Sequence, residues 1–153
     1  MVDKELVFKS LDESLVVIST EVANILLSYR QMNDSSPESA GVLIGERRDI
    51  HIVITDLSEP SQWDIRSRFM VDRISKHHQK VIDDAFKKSK GKWHYLGEWH
   101  THPEDAPKPS MTDYTSWHKN LKSKLPLILI IVGRTHFWVG KKTQDKIEIL
   151  KQI

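Results

Sequence analysis

The amino-acid sequence predicts an α/β (α+β) domain, a mixed, largely antiparallel β-sheet flanked by helices. Three observations carry this. Glu38 to Ile44 and Ile50 to Leu57 are apolar runs separated by the charged segment Glu46 to Asp49, which is the pattern of a hairpin. Leu127 to Val132 and Thr135 to Val139 repeat that pattern around Gly133-Arg134. Asp72 to Lys90, by contrast, spaces Ile74, His78, Val81, Ile82, Ala85 and Phe86 along one stripe, as an amphipathic helix does.

The remaining elements follow in chain order. Ser14 to Ser19 is β-branched and reads as a strand. Thr20 opens a helix running to about Met32, with Val22, Ile25, Leu26 and Tyr29 at helical spacing. Asn33 to Pro37 is a polar turn, Ser58 to Trp63 a loop, and Asp64 to Val71 an extended segment. Lys87, Lys88 and Lys90 gather near the end of the long helix, where positive charge suits its dipole, and Gly91 stops it. Lys92 to His102 is a strand, and Pro103, Pro107 and Pro109 stiffen the loop after it. A helix starts near Ser110 and runs to about Ser123, with Tyr114, Trp117 and Leu121 on one side. Lys146 to Leu150 is a last short strand. No repeat or linker divides the chain, so residues 1–153 are read as one domain.

Composition narrows the function classes. A hydrophobic content of 39% against 29% charged residues belongs to a folded chain, not a disordered one. Lys+Arg at 23 nearly balances Asp+Glu at 21, which gives no electrostatic footprint for nucleic acid or an anionic membrane. There is no cysteine, which excludes disulfides, thiolate zinc sites and a thiol nucleophile. Met1 to Ser10 lacks the pattern of a signal peptide, and Leu125 to Val132 is too short to cross a bilayer; the expected location is cytoplasmic.

The chemistry concentrates at His100-Thr-His102, followed after a Pro-rich loop by Ser110-Met-Thr-Asp113. On a strand, residues two apart project from one face, so both imidazoles can reach one ion. Two His and one Asp form a nitrogen and oxygen donor set that suits zinc and leaves a fourth tetrahedral position open, as catalytic sites do. Ser110-x-x-Asp113 also matches a helix capping box, and the two readings are compatible. Hydrolysis at such a site needs a general base, for which Glu38, Glu98, Glu104 and Asp105 are candidates. Glu98 shares strand parity with both histidines, Glu104 and Asp105 lie on a loop expected to be solvated, and Glu38 opens an apolar strand. Trp99 and Trp117 are expected in the core, and His51, His77, His78, His94, His118 and His136 at surface or packing positions.

Glu38-Ser-Ala-Gly-Val-Leu-Ile-Gly, Gly97-Glu-Trp-His-Thr-His-Pro103 and Ser110-Met-Thr-Asp113 together resemble the JAMM motif of the MPN/Mov34 metalloprotease family. The resemblance covers most of the chain and implies a cytidine-deaminase-like fold and a zinc isopeptidase, with one zinc held by His100, His102 and Asp113. It further implies Glu38 as general base and proton shuttle, and Ser110 as hydrogen-bond donor to the developing oxyanion. The wording is most similar to stand-alone prokaryotic members, especially deconjugating peptidases of bacterial CBASS antiviral operons. That implies a protein substrate with an extended C-terminal tail, a cGAS-like CD-NTase or a ubiquitin-like conjugate. The segment Ser58 to Val71 would clamp the tail by strand addition, with Trp63 and Phe69 lining the groove. A tail-binding module that does not cut, and a zinc hydrolase of a small amide, are the alternatives.

Overall fold

A computed structural model describes residues 1–61 and 76–153. Its elements are β1 (Leu6–Lys9), β2 (Leu15–Ile18), α1 (Thr20–Ser28), β3 (Ala40–Arg48), β4 (His51–Leu57), α2 (Lys76–Lys88), β5 (His94–Thr101), α3 (Met111–Asn120), β6 (Leu127–Val132), β7 (Phe137–Thr143), β8 (Lys146–Ile149) and β9 (Lys151–Gln152). The strands form one sheet in the order β8-β7-β6-β5-β3-β4-β2-β1-β9. β2 with β4 and β5 with β6 pair in parallel, and the other neighbours are antiparallel. This is the mixed, largely antiparallel sheet expected from the sequence.

Each face of the sheet is apolar for its own reason. On one side, Leu26, Ala23 and Val22 of α1 pack on Leu43, Ile54, Leu96, Trp99, Ile128 and Ile130. On the other, α2 covers Val42 and Ile44 through Ala85, while α3 covers Leu127, Leu129 and Ile131 through Trp117. β6 is therefore buried along its whole length, which is why its sequence, Leu-Ile-Leu-Ile-Ile-Val, is continuously apolar instead of alternating.

A bulge sets which β5 residues face α2 and α3. Leu43 pairs with Gly97 but Ile44 pairs with Tyr95, which leaves Leu96 as the extra residue. Gly97 takes φ 150°, and a Cβ there would lie 1.8 Å from the Ile128 carbonyl oxygen, so only glycine fits. Downstream of the bulge, strand alternation is regular, and Trp99 faces α1 while His100 faces α2 and α3.

The structure moves several boundaries. α1 ends at Ser28, because the chain after it turns inward to bury Gln31. β3 starts two residues after Glu38 and runs through the expected charged turn as far as Arg48; Asp49, at φ 58°, makes the turn instead. Arg47 continues the strand by sending its guanidinium to the Pro126 carbonyl at 2.8 Å. α3 begins at Met111 with Ser110 as its cap and stops at Asn120. β7 runs to Thr143, and β1 and β9 were not expected at all. Asp64 to Val71, the first turn of the expected helix from Asp72, and Trp63 and Phe69 lie outside the described residues. Among the described residues, no helix is long and apolar enough to cross a membrane.

Candidate metal centre

The site sits where β5 ends and α3 begins, within the parallel β5-α3-β6 unit. In such units the carboxyl ends of strands and the amino ends of helices converge and leave a crevice for ligands. His100 is held by pairing on both sides, opposite Ala40 of β3 and Ile131 of β6. The β5–β6 ladder extends one residue further through His102 N–H to the Val132 carbonyl at 3.1 Å, which fixes the second histidine as well.

Asp113 arrives from α3. The Ser110 Oγ accepts the Asp113 N–H at 3.1 Å, and an Asp113 carboxylate oxygen accepts the Ser110 N–H at 2.8 Å. This is the capping box expected from the sequence, and it orients the carboxylate. Accepting the Asp113 N–H engages an oxygen lone pair of Ser110, not its hydroxyl proton.

Three ligand atoms now meet. His100 Nε2 lies 3.1 Å from His102 Nε2 and 3.3 Å from Asp113 Oδ1, and His102 Nε2 lies 3.2 Å from Asp113 Oδ2. Donors about 2.0–2.1 Å from a tetrahedral zinc sit about 3.3 Å from each other, so these spacings fit that ion. Among the described residues, this is the one group of three or more His, Asp or Glu side chains with converging ligand atoms. The side chain of His100 is 11% exposed, against 3% for His102 and 2% for Asp113, so the open side of the site lies by His100. Burial pushes the Asp113 carboxyl up, but hydrogen bonds from His100 and His102 outweigh it and hold the group well below the usual carboxylate range. A carboxylate and two imidazoles that converge in this way form a group able to hold a metal ion.

The base candidates separate by position. Beyond β3, Ser39 still pairs with Thr101: the Thr101 N–H reaches the Ser39 carbonyl, and the Ser39 N–H reaches Thr101 Oγ1, both at 3.0 Å. Glu38 comes one residue earlier, ahead of β3, and strand parity continued to it would put it on the face of His100. It is half-buried. Glu98 shares that face but lies inside the sheet between Val42 and Leu129. Glu104 is exposed on its loop, as the sequence suggested, but its Oε1 also lies 2.8 Å from His102 Nδ1. The two nitrogens of an imidazole point opposite ways, so Glu104 faces away from the metal position. Asp105 uses its backbone carbonyl to accept from Thr135 and His136.

Trp99 and Trp117 are both buried, as expected. Trp117 does more than fill the core. One turn beyond Asp113, its ring lies 6.0 Å from that of His100 and is stacked 5.7 Å from Trp138, so it forms the wall behind the ligand. The i, i+4 spacing of Asp113 and Trp117 is the signal that places both on one helix face. The other histidines are packing or surface groups: His78 is buried 2.6 Å from Ser58 Oγ, and His51 Nδ1 accepts the Leu15 N–H at 2.9 Å.

Comparison with known proteins agrees with this geometry. Residues 21–145 match the family described as prokaryotic homologs of the JAB domain. The chain is 54% identical over 153 residues to a CD-NTase/cGAS isopeptidase of Vibrio cholerae, covering 100% of this chain and 98% of the relative. It is 49% identical over 148 residues to a CD-NTase/cGAS isopeptidase of Escherichia coli, covering 97% and 95%. A solution structure of a protein from Desulfitobacterium hafniense shares the fold with a TM-score of 0.62 at 19% identity, over 86% of this chain and 87% of that one. The sheet, the converging His-His-Asp site and the match over most of the length lead to one conclusion: the chain belongs to the family of prokaryotic JAB-domain proteins.

Proposed function

We propose that this chain is a zinc-dependent isopeptidase that hydrolyses the bond after the C-terminal tail of a conjugated protein, and that its substrate is a CD-NTase joined to its targets in a cytoplasmic bacterial CBASS antiviral system. The observation that carries the proposal is the buried triangle of His100, His102 and Asp113, with edges of 3.1 to 3.3 Å. The isopeptidase names of two relatives at 54% and 49% identity support the substrate class.

His100 Nε2, His102 Nε2 and the Asp113 carboxylate would hold one zinc. When bound, zinc supplies a Lewis acid that acidifies water and polarises a carbonyl. The residues of the chain then divide the remaining work. Glu38 takes a proton from the attacking water and delivers it to the departing amine, the lysine Nζ in an isopeptide. The Ser110 hydroxyl donates to the carbonyl oxygen as negative charge develops on it. Asp113, locked by the capping box, keeps its carboxylate aimed without rearrangement. No nucleic acid or membrane takes part.

The test is cleavage. Zinc-loaded protein is incubated with a CD-NTase fused through its C-terminus to a reporter, and the products are weighed intact. Cutting directly after the CD-NTase tail is expected. An intact fusion with zinc bound would refute the CD-NTase tail as substrate and move the substrate to another ubiquitin-like tail or a small amide. An intact fusion with no zinc bound would leave a tail-binding module.

A further inference from the structure

The sequence offered Glu104 as a solvated loop residue and a candidate base; the structure keeps it exposed on the loop and adds a contact that the sequence did not show. Its Oε1 lies 2.8 Å from His102 Nδ1, on the side of the ring opposite Nε2. A carboxylate only accepts, so the proton of that bond belongs to Nδ1, and an ion seated between His102 Nε2, His100 Nε2 and Asp113 would take the lone pair of Nε2. This is the neutral imidazole tautomer that ligation through Nε2 requires.

The loop carrying Glu104 is fixed from behind. The Arg134 N–H donates to the Glu104 carbonyl at 2.7 Å, while the N–H groups of Thr135 and His136 both donate to the Asp105 carbonyl at 3.1 Å. Gly133 completes the clamp: a Cβ there would lie 2.3 Å from Pro107 Cδ and 2.8 Å from the Glu104 carbonyl oxygen. The turn between β6 and β7 thus holds the Glu104 backbone in place, although its side chain is 50% exposed.

We infer that Glu104 is a positioning residue for the metal, its carboxylate holding His102 in the Nδ1–H tautomer, aiming Nε2 at the ion and raising the basicity of that ligand. The inference rests on the metal reading proposed above. Outer carboxylates of this kind are worth about 10- to 100-fold in metal affinity.

The test is zinc affinity, measured by competition with a chromophoric chelator on wild type, Glu104→Ala, Glu104→Gln and His100→Ala. Glu104→Ala is expected to bind zinc about 10- to 100-fold more weakly. Glu104→Gln, whose amide oxygen still accepts the Nδ1–H but carries no charge, is expected to fall between it and wild type. Metal-free melting temperatures should stay near wild type for both Glu104 variants, because a half-exposed side chain contributes little to the core. In the metal-free wild type, nitrogen chemical shifts of His102 should report Nδ1–H, and Glu104→Ala should lose that preference. Equal zinc affinity in wild type and Glu104→Ala would overturn the inference and leave the metal site standing. A wild type that binds zinc no better than His100→Ala would overturn the metal reading itself.

Discussion

Asp113→Asn separates the metal role of Asp113 from its helix-capping role, which the structure joins in one side chain. The carboxylate faces two Nε2 atoms at 3.2 and 3.3 Å and accepts the Ser110 N–H at 2.8 Å. An asparagine oxygen can still accept that N–H, but it lacks the charge that holds a dication. With free zinc about a thousand times its Kd, wild type gains about 4 kcal/mol from zinc. For a chain of this size, that corresponds to a melting shift of about 8–16 °C. Asp113→Asn should lose nearly all of the zinc-dependent shift. Without zinc, both variants lose the charge that faces the two imidazoles, and Asp113→Ala should lose about 1 kcal/mol more than Asp113→Asn, with the cap. Circular dichroism melts of the three proteins, in excess chelator and in excess zinc, provide both numbers. A full zinc shift in Asp113→Asn would refute the ligand assignment. A metal-free Asp113→Ala as stable as Asp113→Asn would refute the cap.

The other predictions concern neighbours of this site. Glu38→Gln should keep zinc stoichiometry but slow turnover by about a hundredfold to ten-thousandfold, the range of general base catalysis; full turnover at matched zinc would move the role to Glu98. Ser110→Ala should cost about 1 kcal/mol of stability through the cap and about a hundredfold in kcat through the lost oxyanion donor, and an unchanged kcat would reduce Ser110 to a cap. Gly133→Ala should displace the loop bearing Glu104, because the new methyl meets Pro107 and two backbone oxygens, and chelator competition should show weakened zinc binding. The Asp113 carboxyl is depressed in the folded chain, so in metal-free protein it contributes stability above its ordinary value of about 3.9, lost as pH falls through the lower folded value. Urea midpoints of wild type and Asp113→Asn should therefore converge as the solution is acidified.

The sequence made the donor set legible because strand parity is local. His100 and His102 share a face whatever the rest of the chain does, and Ser110-x-x-Asp113 announces a helix start. What it could not show was which loop carboxylate turns inward. Glu104 is exposed at one end and bonded at the other, and the backbone that fixes it belongs to a turn about thirty residues later. The β3 boundary failed for a similar reason. Glu46, Arg47 and Arg48 look like a turn by composition, but Arg47 finds the Pro126 carbonyl and Glu46 pairs with Arg48 at 3.2 Å, so the strand continues. β7 continues through Lys141 and Lys142 because their ammonium groups reach Ser14 Oγ at 2.9 Å and the Leu121 carbonyl at 2.8 Å. β1 and β9 are four and two residues long and pair across almost the whole chain, Phe8 with Gln152, so no local period marks them.

Anomalous diffraction at the zinc edge, from crystals of the zinc-loaded protein, tests the central claim most directly. The account predicts one peak per chain, about 2.0–2.1 Å from His100 Nε2, His102 Nε2 and an Asp113 carboxylate oxygen. A zinc-loaded crystal with no peak there, or with its peak on other side chains, would contradict it.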